Sequence, residues 1–294
     1  MKKMAENRTS IILDVEMHQK KAKIIQIFLL VFFIIVSMAF FLPILWMMVS
    51  SFKGTQEFMQ VPPTLLPEHF DLGKIGRVWE KGHLTRTYLV TFIMVAGDVV
   101  FSLVCCGLGG YVLSRLKPAG SRAVMAVVLW SMMMPSNLGM VPLFINLTNG
   151  MFGISLMDTY VPLWIMQGGN AFNTLLFKSF FDGIPGTYLE AARVDGGTEL
   201  VIFGKIIMPL SKPVFMSVAI FTVVGGWGTF LWPSLILKNQ NLYPIGLTLL
   251  NMERTLPIDE YLMLLIFAIV PPILFFLFFQ KYIMEGVSVG GIKG

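Results

Sequence analysis

Six apolar runs, each long enough to cross a bilayer, constrain this chain more than any motif in it. They cover Ile24–Ser50, Tyr88–Leu113, Ala123–Ile145, Leu156–Phe181, Pro209–Leu237 and Tyr261–Met284. A helix needs about 20 largely apolar residues to span hydrocarbon. The runs therefore predict an all-α fold, a polytopic membrane helix bundle of six transmembrane helices. Composition agrees: 55% of the 294 residues are hydrophobic and only 13% are charged, where a soluble domain carries about 25% charge.

Lys20, Lys21 and Lys23 precede the first run. A secretory signal has such a start, but its apolar core is only about 7–15 residues long. Ile24–Ser50 is therefore expected to remain as a first helix, with a bend expected at Pro43, where a backbone donor is missing. Six spans put both termini on one side. With that side inside, about two-thirds of the Lys and Arg fall on inner segments, so the N- and C-termini are expected in the cytoplasm. The expected divisions are a cytoplasmic segment at 1–23, a transmembrane domain at 24–284 and a cytoplasmic tail at 285–294. An outer loop falls at 52–87 and a long inner loop at 182–208. The net charge of +5 reads as topology signals and contact with anionic membrane lipid rather than nucleic acid.

Pro and Gly interrupt several runs, at Pro135, Pro142, Pro162, Gly168–Gly169, Gly225–Gly226 and Pro271–Pro272. Broken helices persist at membrane depth only where protein or a water-filled cavity satisfies the freed backbone groups. A bundle enclosing a path is therefore expected. Reactive chemistry is sparse. Cys105 and Cys106 are neighbours in an apolar run and read as packing residues. His18, His69 and His83 lie outside every run and form no metal constellation. The nearest imitation of a phosphate-cradling loop, Gly197 through Gly204-Lys205-Ile206, has the wrong spacing and lacks the hydroxyl that would hold magnesium. The sequence thus carries no ATP-binding motif and no catalytic site. Asp98, inside the second run, is the clearest ionisable group at membrane depth. It reads either as a substrate or ion contact or as a buried acceptor for a neighbouring helix.

The inner loop is longer than a bundle connection requires. Gly183-Ile184-Pro185-Gly186 signals a turn. Thr187 and Glu190 have capping-box spacing, Tyr188–Val194 is helix-prone, and Gly196-Gly197 supplies a stop. A second apolar-patterned stretch, Glu199–Ile207, follows, and Pro209 is expected to open the fifth span. Two short helices joined by a glycine bend make an exposed docking surface.

Glu190-Ala191-Ala192, Gly196 and Ile206-Ile207-Met208-Pro209 keep the spacing of the EAA loop, and the chain resembles the permeases of binding-protein-dependent ABC importers. Met208 stands where that pattern usually has leucine. Phe177 through Pro185, Tyr111-Val112-Leu113-Ser114-Arg115, Met134-Pro135, Val141-Pro142-Leu143 and the tail from Gln280 to Gly294 resemble the carbohydrate-uptake branch, closest to its smaller maltose-type subunit. The resemblance implies a bacterial cytoplasmic-membrane complex in which this chain pairs with a second permease subunit. Two ATPase subunits would bind ATP and Mg, and an external solute-binding protein would deliver a sugar. Tyr188, Glu190, Ala191, Ala192, Asp195 and Gly196 would then meet an ATPase, and the glycine-rich tail either touches the ATPases or frays. Relatives often read Trp-Asn-acid in the fifth helix, whereas this chain has Trp227-Gly228-Thr229. Sugars are held by aromatic faces with amides and hydroxyls, so Gln167, Asn170, Asn173, Trp227 and Thr229, with Asp98, are candidate path residues; helix packing is the other reading of each. An ion- or proton-coupled transporter acting alone, with Asp98 as its coupling group, is the competing class.

Overall fold

The computed structural model describes residues 20–135, 138–150 and 154–291, with side chains described from Lys23 to Lys281 within those ranges. Most of the expected cytoplasmic segment, 1–19, and the end of the expected tail, 292–294, lie outside the described residues, as does His18. The chain divides into two compact units, Met1–Asp71 and Leu72–Gly294.

In the first unit, α1 (Lys20–Ser50) is a single helix, apolar enough over Lys23–Ser50 to cross a membrane. Pro43 lies inside it without ending it. Its apolar side chains are exposed on every face, among them Phe28, Phe40 and Phe41, the pattern of a helix whose solvent is lipid or other helices. Beyond it the chain is held by its own polar groups. The Lys53 ammonium donates to the Thr64 carbonyl and lies 4.5 Å from the Trp46 ring centroid. Glu57 Oε1 accepts from the Thr64 hydroxyl at 2.8 Å and from the Glu68 N–H at 3.0 Å.

The second unit begins with α2 (Gly73–Lys81) and α3 (Leu84–Leu116). α3 is a long apolar helix with π-type turns at Ser102–Cys106 and Val112–Leu116. The third and fourth apolar runs do not form unbroken helices. One divides into α4 (Ser121–Met133) and α5 (Met140–Asn149), the other into α6 (Val161–Gly168) and α7 (Ala171–Asp182). The breaks fall beside Pro135 and at Gly169-Asn170. The loop expected at 182–208 folds as α8 (Thr187–Val194) and α9 (Glu199–Leu210), and α10 (Lys212–Trp227), α11 (Leu231–Ile236), α12 (Ile245–Met252) and α13 (Ile258–Gly291) follow. By length and composition α1, α3 and α13 each suffice to cross a membrane, and α9 with α10 passes only as a pair bent by 81°. The fifth span does not open at Pro209, contrary to the sequence expectation. Pro209 sits near the end of α9, and α10 starts at Lys212 with Pro213 in its first turn, where a missing N–H costs nothing.

Two apolar clusters organise the second unit. One joins Val90, Met94 and Val95 of α3 to Leu147, Tyr160, Leu163, Ile236 and Leu237. The other joins Cys106 and Tyr111 of α3 to Phe177, Phe181, Leu189, Ile202, Phe203, Ile207, Val214 and Val218. Gly110 lets α3 and α7 approach closely: a Cβ there would fall 2.6 Å from Phe177 Cβ. Pro271 and Pro272 remain inside α13 because other helices take up the carbonyls they free. A proline at position i leaves the carbonyl of i−4 without its helical donor. Those carbonyls are Phe267 O and Ala268 O, which accept from the Tyr88 hydroxyl at 2.6 Å and from Trp227 Nε1 at 2.9 Å. Two aromatic donors thus join α3 and α10 to α13.

Candidate functional site

α8 begins one residue earlier than a capping box would need. Gly186, not Thr187, occupies the N-cap, and its carbonyl accepts from the Leu189 and Glu190 N–H groups at 2.9 and 3.0 Å. The Thr187–Glu190 box is therefore not formed, since Thr187 is already helical and its hydroxyl no longer faces the first free N–H groups. Glu190 stays in the first turn, where a carboxylate suits the positive end of the helix dipole. The expected glycine bend is present: Gly196 has φ +80, and the Gly197 N–H returns to Ala192 O at 2.9 Å.

Leu189 is buried, and Ala192 packs half-buried against the same cluster. Tyr188, Glu190, Ala191, Asp195 and Gly196 are exposed. Ala192 is thus part of the mounting, and Ala191 is the small residue on the outer face. Val194 is 88% exposed and Leu200 76%, so this short element presents apolar surface outward.

The loop is fastened to α3 by the segment Tyr111 to Arg115. The Tyr111 hydroxyl donates to Glu199 Oε2 at 2.7 Å, and Arg193 Nε donates to Glu199 Oε1 at 2.9 Å. The Ser114 hydroxyl donates to Asp182 Oδ1 at 2.7 Å, and the Arg115 guanidinium donates to the Phe181 and Ile184 carbonyls. Sequence reasoning did not assign Arg193 or Glu199 to the site and noted Tyr111–Arg115 only as a resemblance. The Arg193 hydrogen bond, then that of Tyr111, holds the Glu199 carboxyl below its ordinary value of 4.5. A lowered carboxyl contributes stability above its unfolded value and loses it as pH falls through the folded one. The contact therefore persists at neutral pH. Thermal unfolding in detergent should show a smaller loss of stability below about pH 4.5 for Glu199→Gln than for the unaltered chain.

A cavity of about 380 Å³ opens where two of the broken helices interrupt. It is lined from α3 by Asp98, from the α6–α7 break by Gln167, Asn170 and Asn173, and from α10 and its end by Thr222, Gly225, Gly226 and Thr229. Phe172, Phe221 and Trp232 supply aromatic surface. Along α3 and α10 it falls between the stretches that build the two apolar clusters. Asn170 Oδ1 caps α7 by accepting the Asn173 N–H at 3.0 Å, and Asn173 Nδ2 donates to Ser102 Oγ at 2.8 Å. Gln167 Nε2 reaches Thr222 Oγ1 at 3.4 Å. Asp98 is 6% exposed, and its Oδ1 has no hydrogen-bond partner among the described residues. The role of acceptor for a neighbouring helix is therefore not filled at that oxygen.

Five of the six expected path residues thus meet in one cavity. Trp227 does not. It is 5% exposed, packs against Tyr88 and Phe92, and spends its N–H on the carbonyl freed by Pro272. Trp227→Phe should leave solute affinity unchanged while destabilising the fold by about 1–3 kcal/mol, the cost of an orphaned buried acceptor; thermal unfolding alongside equilibrium binding checks both halves. Thr222, Phe172, Phe221 and Trp232 went unassigned, and a 3.6-residue reading of α10 from Gly225 and Gly226 would have found Thr222.

Residues 106–289 match the family described as binding-protein-dependent transport system inner membrane component. The arabinooligosaccharides transport system permease protein AraQ of Bacillus subtilis is 30% identical over 282 residues, covering 94% of this chain and 99% of that protein. The diacetylchitobiose uptake system permease protein NgcG of Streptomyces coelicolor is 28% identical over 260 residues, covering 85% and 83%. A chain in the crystal structure of a bacterial ABC transporter involved in the import of the acidic polysaccharide alginate shares the fold, with a TM-score of 0.77 and 24% identity over 90% of this chain and 98% of that one. The family match takes in the π turn of α3, the α8–α9 loop and most of the cavity lining, and the chain belongs to the inner membrane components of binding-protein-dependent transport systems, the non-catalytic permease subunits of ABC importers.

Proposed function

We propose that this chain forms, with a second permease subunit, the path for a carbohydrate delivered by an external binding protein, and that two ATPase subunits drive it through α8. A permease of this family works with a partner permease, an ATPase and a binding protein. In this reading ATP and Mg stay on the ATPase subunits. The permease domain covers 24–284 with six spans, both ends are cytoplasmic, and the 182–208 loop faces the ATPases.

One observation carries the reading: the docking element and the cavity share a single helix. α3 bears Tyr111 and Arg115 at the α8–α9 loop and Asp98 at the cavity. Thirteen residues of helix between Asp98 and Tyr111 span about 20 Å. A displacement of α8 reaches α3 through the Arg193–Glu199–Tyr111 hydrogen bonds and the packed Leu189, Phe181 and Phe203. Closure of the ATPases would pull on the exposed face of Tyr188, Glu190 and Ala191, and the cavity lining would shift against α10. AraQ and NgcG are named for arabinooligosaccharides and diacetylchitobiose, and aromatic faces beside amides and hydroxyls suit such a solute.

Glu190→Lys tests the coupling by reversing the charge on the outer face of α8 without touching its buried side. Uptake by the reconstituted transporter should fall by more than tenfold, equivalent to about 1.4 kcal/mol, while the chain still reaches the membrane. Unchanged uptake would sink the coupling role.

A further inference from the structure

The polar groups lining the cavity have one electrostatic property in common. Asp98, Gln167, Asn170, Asn173, Thr222 and Thr229 offer one acid, three amides and two hydroxyls, and among the described residues no Lys or Arg lines the cavity. The N-terminus of α7, the other feature that would attract an anion, is already capped by Asn170 Oδ1 on the Asn173 N–H. Asp98 is more than nine-tenths buried. Its Oδ1 has no donor among the described residues, and its Oδ2 lies beside Gly226, where a Cβ would fall only 3.1 Å away. A buried acceptor without a partner is rare in native structures and calls for a donor from outside the chain. A sugar hydroxyl is such a donor.

We propose that Asp98 is a specificity-determining residue, which makes the cavity accept neutral, hydroxyl-rich solutes and reject sugars bearing carboxylate or phosphate. The inference rests on the reading of the cavity as part of a carbohydrate path. A hydroxyl donates to Asp98 Oδ1, whereas an anionic group brought to the same place has no proton to donate there and finds no cation among the described lining residues to offset its charge in a water-poor site. The neighbouring amides are already partly engaged, Asn170 Oδ1 by the Asn173 backbone N–H, Gln167 Nε2 at the Thr222 hydroxyl and Asn173 Nδ2 at the Ser102 hydroxyl. They add neutral hydrogen-bonding capacity and no positive charge. The alginate importer shows that the fold also serves an acidic cargo, so the side chains, not the fold, set the sign of the preference.

The test compares a matched pair, galactobiose and digalacturonate, which differ in their carboxylates. Binding of each to the complete transporter in detergent is measured by saturation-transfer NMR, with arabinobiose and maltose as further neutral probes. The expected result is binding of neutral probes and at least tenfold weaker binding of digalacturonate, the scale of leaving a charged group without a partner, at about 1.4 kcal/mol per tenfold. Asp98→Asn keeps the shape and should move the preference toward the acid by at least tenfold. Thr229→Lys, which leaves Asp98 in place and adds a cation to the same cavity, should move it the same way and guards against a folding defect in the first variant. Digalacturonate binding as well as galactobiose to the unaltered complex, or a preference unmoved in both variants, would overturn the role of Asp98 while leaving the carbohydrate path intact. Failure of every neutral and acidic probe to bind would overturn both.

Discussion

Gly196→Pro is expected to abolish ATP-driven uptake while leaving the membrane helices assembled. Gly196 has φ +80, and a proline ring fixes φ near about −65°, so the bend between α8 and α9 cannot form. Space is not the obstacle, since a Cβ at Gly196 would meet nothing within 4 Å. Two backbone effects decide the outcome, the angle and the loss of the Gly196 N–H that donates to Arg193 O at 3.0 Å, and this permits a graded series. Gly196→Ala incurs only the left-handed strain of an L-residue, about 1–2 kcal/mol, and should retain measurable uptake. Gly196→Pro must rebuild the turn, which frees the Gly197 N–H from Ala192 O and misaligns Arg193 with Glu199. Uptake into proteoliposomes, scored beside the amount of ATPase that co-purifies, distinguishes a misplaced α8 from an unfolded chain. Full uptake in the proline variant would remove the bend from the coupling mechanism.

Asp259→Ala is expected to cost about 3–5 kcal/mol of stability, the range for removing one partner of a buried ion pair. Asp259 and Lys74 meet at 2.7 Å with side chains only 7% and 3% exposed. They join α2 to the first turn of α13, where the helix dipole also favours the carboxylate. Removing the acid leaves the buried Lys74 ammonium without this counter-charge. Changing both together, Lys74→Met with Asp259→Leu, should restore most of the loss, because neither member of the pair is then left buried without the other. The adjacent pair, Lys81 with Glu260 at 2.6 Å, has its lysine half exposed, and Glu260→Gln should cost no more than about 1 kcal/mol. Thermal unfolding of the purified complex in detergent, followed by tryptophan fluorescence, ranks the three. An equal loss in the single and double variants at Lys74 and Asp259 would show that packing, not charge, holds α2 in place.

The α2 clamp orders Gly73–Lys81 within the segment 52–87. Its composition, rich in Pro, Gly and charge, fits an ordered cap and a surface loop equally well. Lys74 and Lys81 read as ordinary basic residues of an outer segment, because their partners lie in the first turn of a helix that begins at Ile258. No local pattern records a contact across that sequence distance.

The apolar runs, the glycine bend and the two-helix loop were legible because each is a local property: the length of a hydrophobic stretch, or a backbone angle that favours glycine. Two break positions were legible for the same reason, since Pro135 and Gly168–Gly169 announce where a helix loses a donor or gains freedom, whereas Gly225–Gly226 and Pro271–Pro272 stay inside α10 and α13. What satisfies the freed groups was not. Pro271 and Pro272 leave two carbonyls open, and only the packing of α3 and α10 on α13 assigns Tyr88 to one and Trp227 to the other. That assignment removed Trp227 from the expected path. The same packing brought Asp98, Gln167, Asn170, Asn173 and Thr229 together around one cavity. Sequence determined that this chain is a bundle of interrupted membrane helices with a two-helix loop ahead of α10. Tertiary structure decided which polar groups face the cavity and which are consumed in holding helices together, because hydrogen bonds between helices depend on facing sides that chain order does not encode.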